Sequence, residues 1–153
     1  MASIGFKTYN FNHISYSKNK NLDIENVDTF EVNSDFSAKV AFENEEAYIL
    51  MDCQIGNNEP NCPFIINMQL TGVFDIEYED DAEDINSLKI LLTQNAIAIL
   101  YPYIRSLVSD LTSKANMFDT FIMPVVNVAK MMEENNRIEI VGLDNKEWFL
   151  EKY

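Results

Sequence analysis

The 153 residues carry 25 acidic against 11 basic side chains, a formal charge of −14, which excludes a phosphate backbone as partner because each phosphate contact needs a cation. Four Gly, four Pro and 47% hydrophobic residues, with no repeat or low-complexity tract, describe a single domain spanning residues 1–153 without long linkers. The N-terminus lacks the layout of a signal peptide, and no apolar run approaches the ~20 residues of a membrane span, so a cytosolic location is expected.

In chain order, the first half reads as strands. Apolar side chains alternate in three short stretches, Ile4 and Phe6, Tyr9 and Phe11, Ile14 and Tyr16. Each change of parity requires a bulge or bend, since side chains along a strand alternate between faces. Residues 17–34, with Lys18-Asn19-Lys20-Asn21, read as a polar loop or crossover. Phe36, Ala38, Val40 and Phe42 then predict a half-buried strand, and Ala47, Ile49, Met51, Cys53 and Ile55 another after a turn at Glu43 to Glu46. In the next strand Phe64, Ile66, Met68, Leu70, Phe74, Ile76 and Tyr78 share one parity, while Asn67, Gln69, Thr71, Asp75 and Glu77 take the other. Gly72 stands on the apolar parity, where a missing side chain permits a bend or a close approach. Such one-sided strands belong to an antiparallel sheet covered on one face.

The second half predicts helix. Asp84 is placed to cap it, behind the acids Glu79, Asp80, Asp81 and Glu83 that suit the positive end of the helix dipole. Leu88, Leu92, Ala96, Ile99, Tyr103, Leu107 and Leu111 form one stripe, and Ile97, Leu100, Ile104 and Val108 run beside it. One stripe can cover the sheet; the other needs a second surface, so Ile97, Leu100, Ile104 and Val108 are expected at an oligomer interface. Pro102 should kink this helix. After a loop at Ser113 to Met123, Pro124 is expected in the first turn of a short helix carrying Val125, Val128, Ala129 and Met132 on one side, with Met131 near its edge. The tail from Arg137 to Tyr153 alternates again at Ile138 and Ile140 and reads as a small hairpin or strand.

The residues offer little chemistry. The run from Glu77 to Asp84 lacks the glycine and terminal glutamate of a calcium loop and reads as a solvated helix start. His13 with Ser15 lacks the third group and the nucleophile elbow of a hydrolase. No catalytic residue, metal site or cofactor is expected. Cys53 and Cys62 flank the turn-like stretch Gly56 to Asn61; they could face each other across a hairpin, or stay reduced in the core. What remains is apolar surface. Phe118, Phe121, Ile122 and Met123 crowd one loop, and Met131 and Met132 follow. Methionine suits partners of varied shape, and it equally fills a core.

Gly72-Val73-Phe74 closing the long strand, Ile99-Leu100-Tyr101-Pro102-Tyr103-Ile104-Arg105 within the helix, and Phe118 through Pro124-Val125-Val126-Asn127-Val128 beyond it resemble the SecB protein-export chaperones, firmly over residues 64–132. The second run is similar to that family's L-[FY]-P-Y-x-R signature. The resemblance implies an α+β fold, a four-stranded antiparallel sheet covered on one face by a long helix and a short C-terminal helix. It implies a homotetramer built as a dimer of dimers. It also implies an ATP-independent holdase, with unfolded or preprotein clients held in grooves lined by the crossover loop and the last helix. By this resemblance Phe118, Phe121, Ile122, Met123, Met131 and Met132 are the client-binding residues. The family's acidic contacts with the export motor SecA fall here at His13, Ser17 and Asn67, none of them acidic, so weak motor binding is expected. A relative dedicated to one client, such as the antitoxin of a toxin–antitoxin pair, is the alternative.

Overall fold

The computed structural model describes residues 1–141. Strands β1 (Ser3–Lys18), β2 (Ser34–Glu43), β3 (Glu46–Gly56) and β4 (Phe64–Glu77) precede helices α1 (Ala82–Ile90), α2 (Ala96–Ala115) and α3 (Val128–Glu134) and a short strand β5 (Ile138–Ile140). The sheet order is β1-β4-β3-β2-β5. The first four strands pair antiparallel, and β5 joins β2 in parallel. The fold is therefore the expected α+β arrangement with one strand added at an edge. Residues 142–153, on which half of the expected terminal hairpin falls, lie outside the described residues.

The two parity changes in β1 are bulges. Pairing with β4 shifts between Phe6 and Thr8 and again between Phe11 and His13. Each inserted residue resets the alternation, so Ile4, Phe6, Tyr9, Phe11, Ile14 and Tyr16 oppose Ile76, Phe74, Gly72, Leu70, Met68 and Ile66 on one face. Where Gly56 ends β3, its φ of +88° and the Phe64 carbonyl, only 2.0 Å from where a Cβ would stand, leave room for glycine alone. Cys53 and Cys62 are free and buried. Burial pushes the Cys53 thiol up, away from the reactive thiolate.

Helix α2 lies on the apolar face of this sheet. Ile97, Leu100, Ile104 and Val108 are fully buried within the chain's own core, together with Met51, Ile66, Leu70 and Phe74. This corrects the expectation that those four helix residues form an oligomer interface: they are the stripe that covers the sheet. The physical reason is Gly72, against which Leu100 seats so closely that an added Cβ would meet the leucine methyls at 2.6 and 2.7 Å. The other stripe turns toward β1, where Tyr103 stacks on Tyr9 at 4.0 Å and packs on Phe6 at 5.8 Å, and Ile99 stays 38% exposed.

Three boundaries differ from expectation. Asp81, not Asp84, caps α1 by accepting from the Asp84 N–H. Asp84 turns back instead, accepting from the Glu79 N–H at 2.7 Å and meeting the Met1 amine at 3.2 Å. Between α1 and α2 the helix widens into a π-helical turn at Leu91–Asn95, and it runs on through Pro102 to Ala115, so Ser113 to Ala115 are helical. The short helix starts at Val128, with Asn127 accepting from the Lys130 N–H. Pro124 and Val125 precede it, and Val125 is 84% exposed rather than on its packed side.

Candidate functional site: an aromatic cleft beside the crossover

Residues 19–33 between β1 and β2 are anchored by hydrogen bonds to the turn before β4. Asn19, a buried polar residue, accepts at Oδ1 from the Asn21 N–H at 3.0 Å and donates through Nδ2 to the Glu59 and Cys62 carbonyls at 2.8 and 2.9 Å. Its own N–H reaches the Pro63 carbonyl at 3.0 Å, and the Asp23 and Glu31 N–H groups reach those of Pro60 and Asn61. This anchoring brings Phe30 and Val32 up to Pro63 and Phe64.

From the other side comes the segment after α2. Phe118 meets Phe30 edge-on at 5.4 Å, and Phe121 meets Phe64 at 5.9 Å. Phe30, Val32, Pro63, Phe64 and Phe118 to Phe121 line a cleft of about 440 Å³, and among the described residues Asp119 is its only charged wall residue. Rings set edge to face present both apolar area and a quadrupole to whatever enters. Phe30 stays 48% exposed and Ile122 70%, so the apolar surface continues past the rim.

The expected client-binding residues are thus divided. Phe118 and Phe121 line the cleft, and Ile122 stands exposed beside it. Met123 is a core residue at 1% exposure, which corrects its assignment as contact surface in this arrangement, and Met132 is 2% exposed. Met131, 42% exposed, and Met132 border a separate depression of about 160 Å³ with Ser34, Asp35, Phe36, Asn135 and Arg137. Residues 32–36 run between the two hollows. Phe30, Val32 and Phe64 were missed as wall residues. The signal available was the apolar residues Phe30 and Val32, which follow Leu22, Ile24 and Val27 along the crossover.

The outer face of the sheet is mixed, with Tyr48, Leu50, Ile65 and Val73 among polar residues. His13, Ser15 and Ser17 of β1 stand there across from Gln69, Asn67 and Ile65 of β4, which brings His13, Ser17 and Asn67 onto one patch. Beside it, Asn12 donates to Gln69 at 3.1 Å and to Thr71 at 2.6 Å, and Gln69 donates to Asp52 at 3.1 Å. Among the described residues no helix is long and apolar enough to cross a membrane.

A long helix roofs the apolar face of the sheet, and an aromatic cleft opens where crossover and post-helix segment meet. Residues 13–138 match the family described as preprotein translocase subunit SecB; the chain belongs to this family. An uncharacterised protein, MJ0357, of Methanocaldococcus jannaschii is 34% identical over 85 residues, 56% of this chain and 50% of that protein. The protein-export protein SecB of Anaplasma phagocytophilum is 32% identical over 71 residues, 46% of this chain and 44% of its own length. The chain thus spans about half the length of the curated relatives it matches. The solved Mycobacterium tuberculosis Rv1957 SecB-like chaperone, in complex with a ChAD peptide from the Rv1956 HigA1 antitoxin, superposes with a TM-score of 0.64 over 80% of this chain and 90% of that one at 15% identity, which is a likeness of fold.

Proposed function

We propose that this chain is a chaperone of the holdase kind, acting in the cytosol without ATP, that keeps unfolded or pre-export polypeptides soluble in the aromatic cleft. The observation that carries the reading is the cleft itself. Four phenylalanines from three separate stretches of sequence converge on a hollow of about 440 Å³ that no side chain of the described residues fills. Ordinary surfaces scatter such residues singly, and a gathered apolar patch marks a binding site. The family membership supports the same reading.

The test is suppression of light scattering when several unrelated unfolded proteins are diluted into buffer. Replacing Phe30 and Phe121 together by Ser should weaken client binding by roughly tenfold or more, since each buried aromatic contributes on the order of 1.5–3 kcal/mol. Circular dichroism should stay unchanged. Equal affinity in the altered protein would place the client elsewhere.

A second reading is a protein dedicated to one client. The antitoxin peptide bound by the structural neighbour supports it, and protection of one client but not of unrelated chains would decide for it. That none of His13, Ser17 and Asn67 is a carboxylate supports weak binding to a SecA motor. Overall acidity is screened over roughly 8–10 Å and cannot replace carboxylates at the contact. Tight binding in calorimetry against a purified motor would refute this.

A further inference from the structure

The cleft wall that carries Phe121 belongs to no helix or strand, yet it is held in place. Four side chains of α2 reach it. Tyr101 donates its hydroxyl to the Pro124 carbonyl at 2.9 Å, and Arg105 donates Nε to the Met123 carbonyl at 3.2 Å. Ser109 lies at 3.5 Å from the Phe121 carbonyl, and the Phe121 N–H donates to Thr112 Oγ1 at 3.0 Å. Positions 101, 105, 109 and 112 recur at spacings of three and four and therefore share one face of the helix. Their partners come in reverse order, Pro124, Met123, then Phe121, so the segment runs antiparallel to α2. Phe121 is gripped at both its N–H and its carbonyl while its ring rests on Phe64.

These contacts lie on the flank of α2 opposite Tyr103, clear of the β1 side. Thr112 is 3% exposed, and its hydroxyl donates to the Val108 carbonyl at 2.9 Å while accepting from Phe121. Burial raises the Tyr101 phenol, which keeps it a donor.

We propose that Tyr101, Arg105, Ser109 and Thr112 are positioning residues that zip residues 121–124 onto α2 and so set the shape, and the client affinity, of the aromatic cleft. This rests on the reading of that cleft as the client site. None of the four lines the cleft; they act through residues 121–124.

Thr112→Val keeps the buried volume and removes the acceptor, whereas Thr112→Ser keeps the hydroxyl. The two are compared by hydrogen exchange of the Phe121 amide and by titration with a fluorescently labelled, reduced and carboxymethylated lactalbumin chain. Thr112→Val should speed exchange at Phe121 and weaken binding about tenfold, the usual scale for stranding one buried donor, with the melting transition still cooperative. Thr112→Ser should restore both readouts, and Tyr101→Phe should weaken binding in the same sense. Unchanged affinity in Thr112→Val despite faster exchange, or equal loss in Thr112→Ser, would overturn the zip. Should the unaltered protein bind no unfolded chain, the holdase reading fails; exchange at Phe121 that is fast in Thr112→Val and slow in Thr112→Ser would still support the zip, and equal rates in the two would overturn it.

Discussion

Gly72 and Leu100 decide how the helix sits. Because the glycine leaves a hollow in the apolar face of β4, the leucine drops into it and carries the whole stripe from Ile97 to Val108 onto the sheet. Gly72→Ala would press a methyl to 2.6 Å from a leucine methyl, and overpacking of this kind costs roughly 1–3 kcal/mol. Leu100→Ala removes the knob and should cost about 2–5 kcal/mol. Made together, the alanine at 72 partly fills the space left at 100, so the pair should cost less than the sum by on the order of 0.5–3 kcal/mol. Urea unfolding of the four proteins measures this, and strict additivity would refute the knob-in-hollow account. At this scale the parity of Gly72 was legible in the sequence, but its partner was not. Asn19 was illegible too: a polar residue in a polar stretch shows no sign of burial until the turn carbonyls around it have been placed.

Among the elements, the bulged first strand was the most legible, since three apolar pairs of shifting parity admit no regular strand. The stripes of α2 were only half legible. Periodicity fixes the angle between two apolar stripes, but which one faces the sheet depends on the hollow they meet. The start of α1 shows the same limit, because several acids compete for one cap. Asp81→Ala should cost about 0.5–2 kcal/mol, the usual worth of a side-chain cap, and an unchanged urea midpoint would refute its role. Asp84 has a different duty. The Glu79 N–H, and after it the Met1 amine, hold its carboxyl below the ordinary 3.8. A depressed carboxyl contributes stability above its unfolded value and loses it as pH falls through its folded one. The difference in stability between the unaltered chain and Asp84→Asn should therefore be present at neutral pH and fade below 3.8. A difference independent of pH would contradict this.

For the molecule as a whole, the informative surface is where β1 forms the edge of the sheet. Phe6, Tyr9 and Ile14 on that strand are 39%, 39% and 46% exposed, and Ile99 on α2 is 38% exposed. A long edge strand with aromatic neighbours invites a second copy, and this supports the homotetramer as a proposal with its contact at this edge rather than at Ile97, Leu100, Ile104 and Val108. Tyr9→Glu with Ile99→Asp should lower the mass seen in native mass spectrometry while circular dichroism persists. Leu100→Asp should instead abolish the fold, since it strands a charge in the core. A monomeric unaltered protein at micromolar concentration would remove the basis for an interface. Half of the cleft, Phe30, Val32 and Phe64, escaped a sequence reading for the same reason that the sheet-covering stripe of α2 was misassigned. The walls of the cleft come from residues 30–32, 63–64 and 118–121, and only the closed sheet brings these together.

The bulges in β1 also have a consequence for length. A strand buried on one face is ordinarily the worst place to lose a residue, because everything beyond the gap changes sides. Here the residue at the first shift, Lys7, is surplus to the alternation: without it Phe6, Thr8 and Tyr9 fall inward, outward and inward in an unbroken ladder against Phe74, Val73 and Gly72. The loss would be one exposed ion pair with Glu46 at 2.7 Å, worth roughly 0–1 kcal/mol. Deleting Lys7 should therefore be tolerated in the middle of a 16-residue strand, as should deleting Thr8, which leaves Lys7 in the outward place, whereas deleting Gly5 should not, because the surplus residue then remains and Ile4 changes sides.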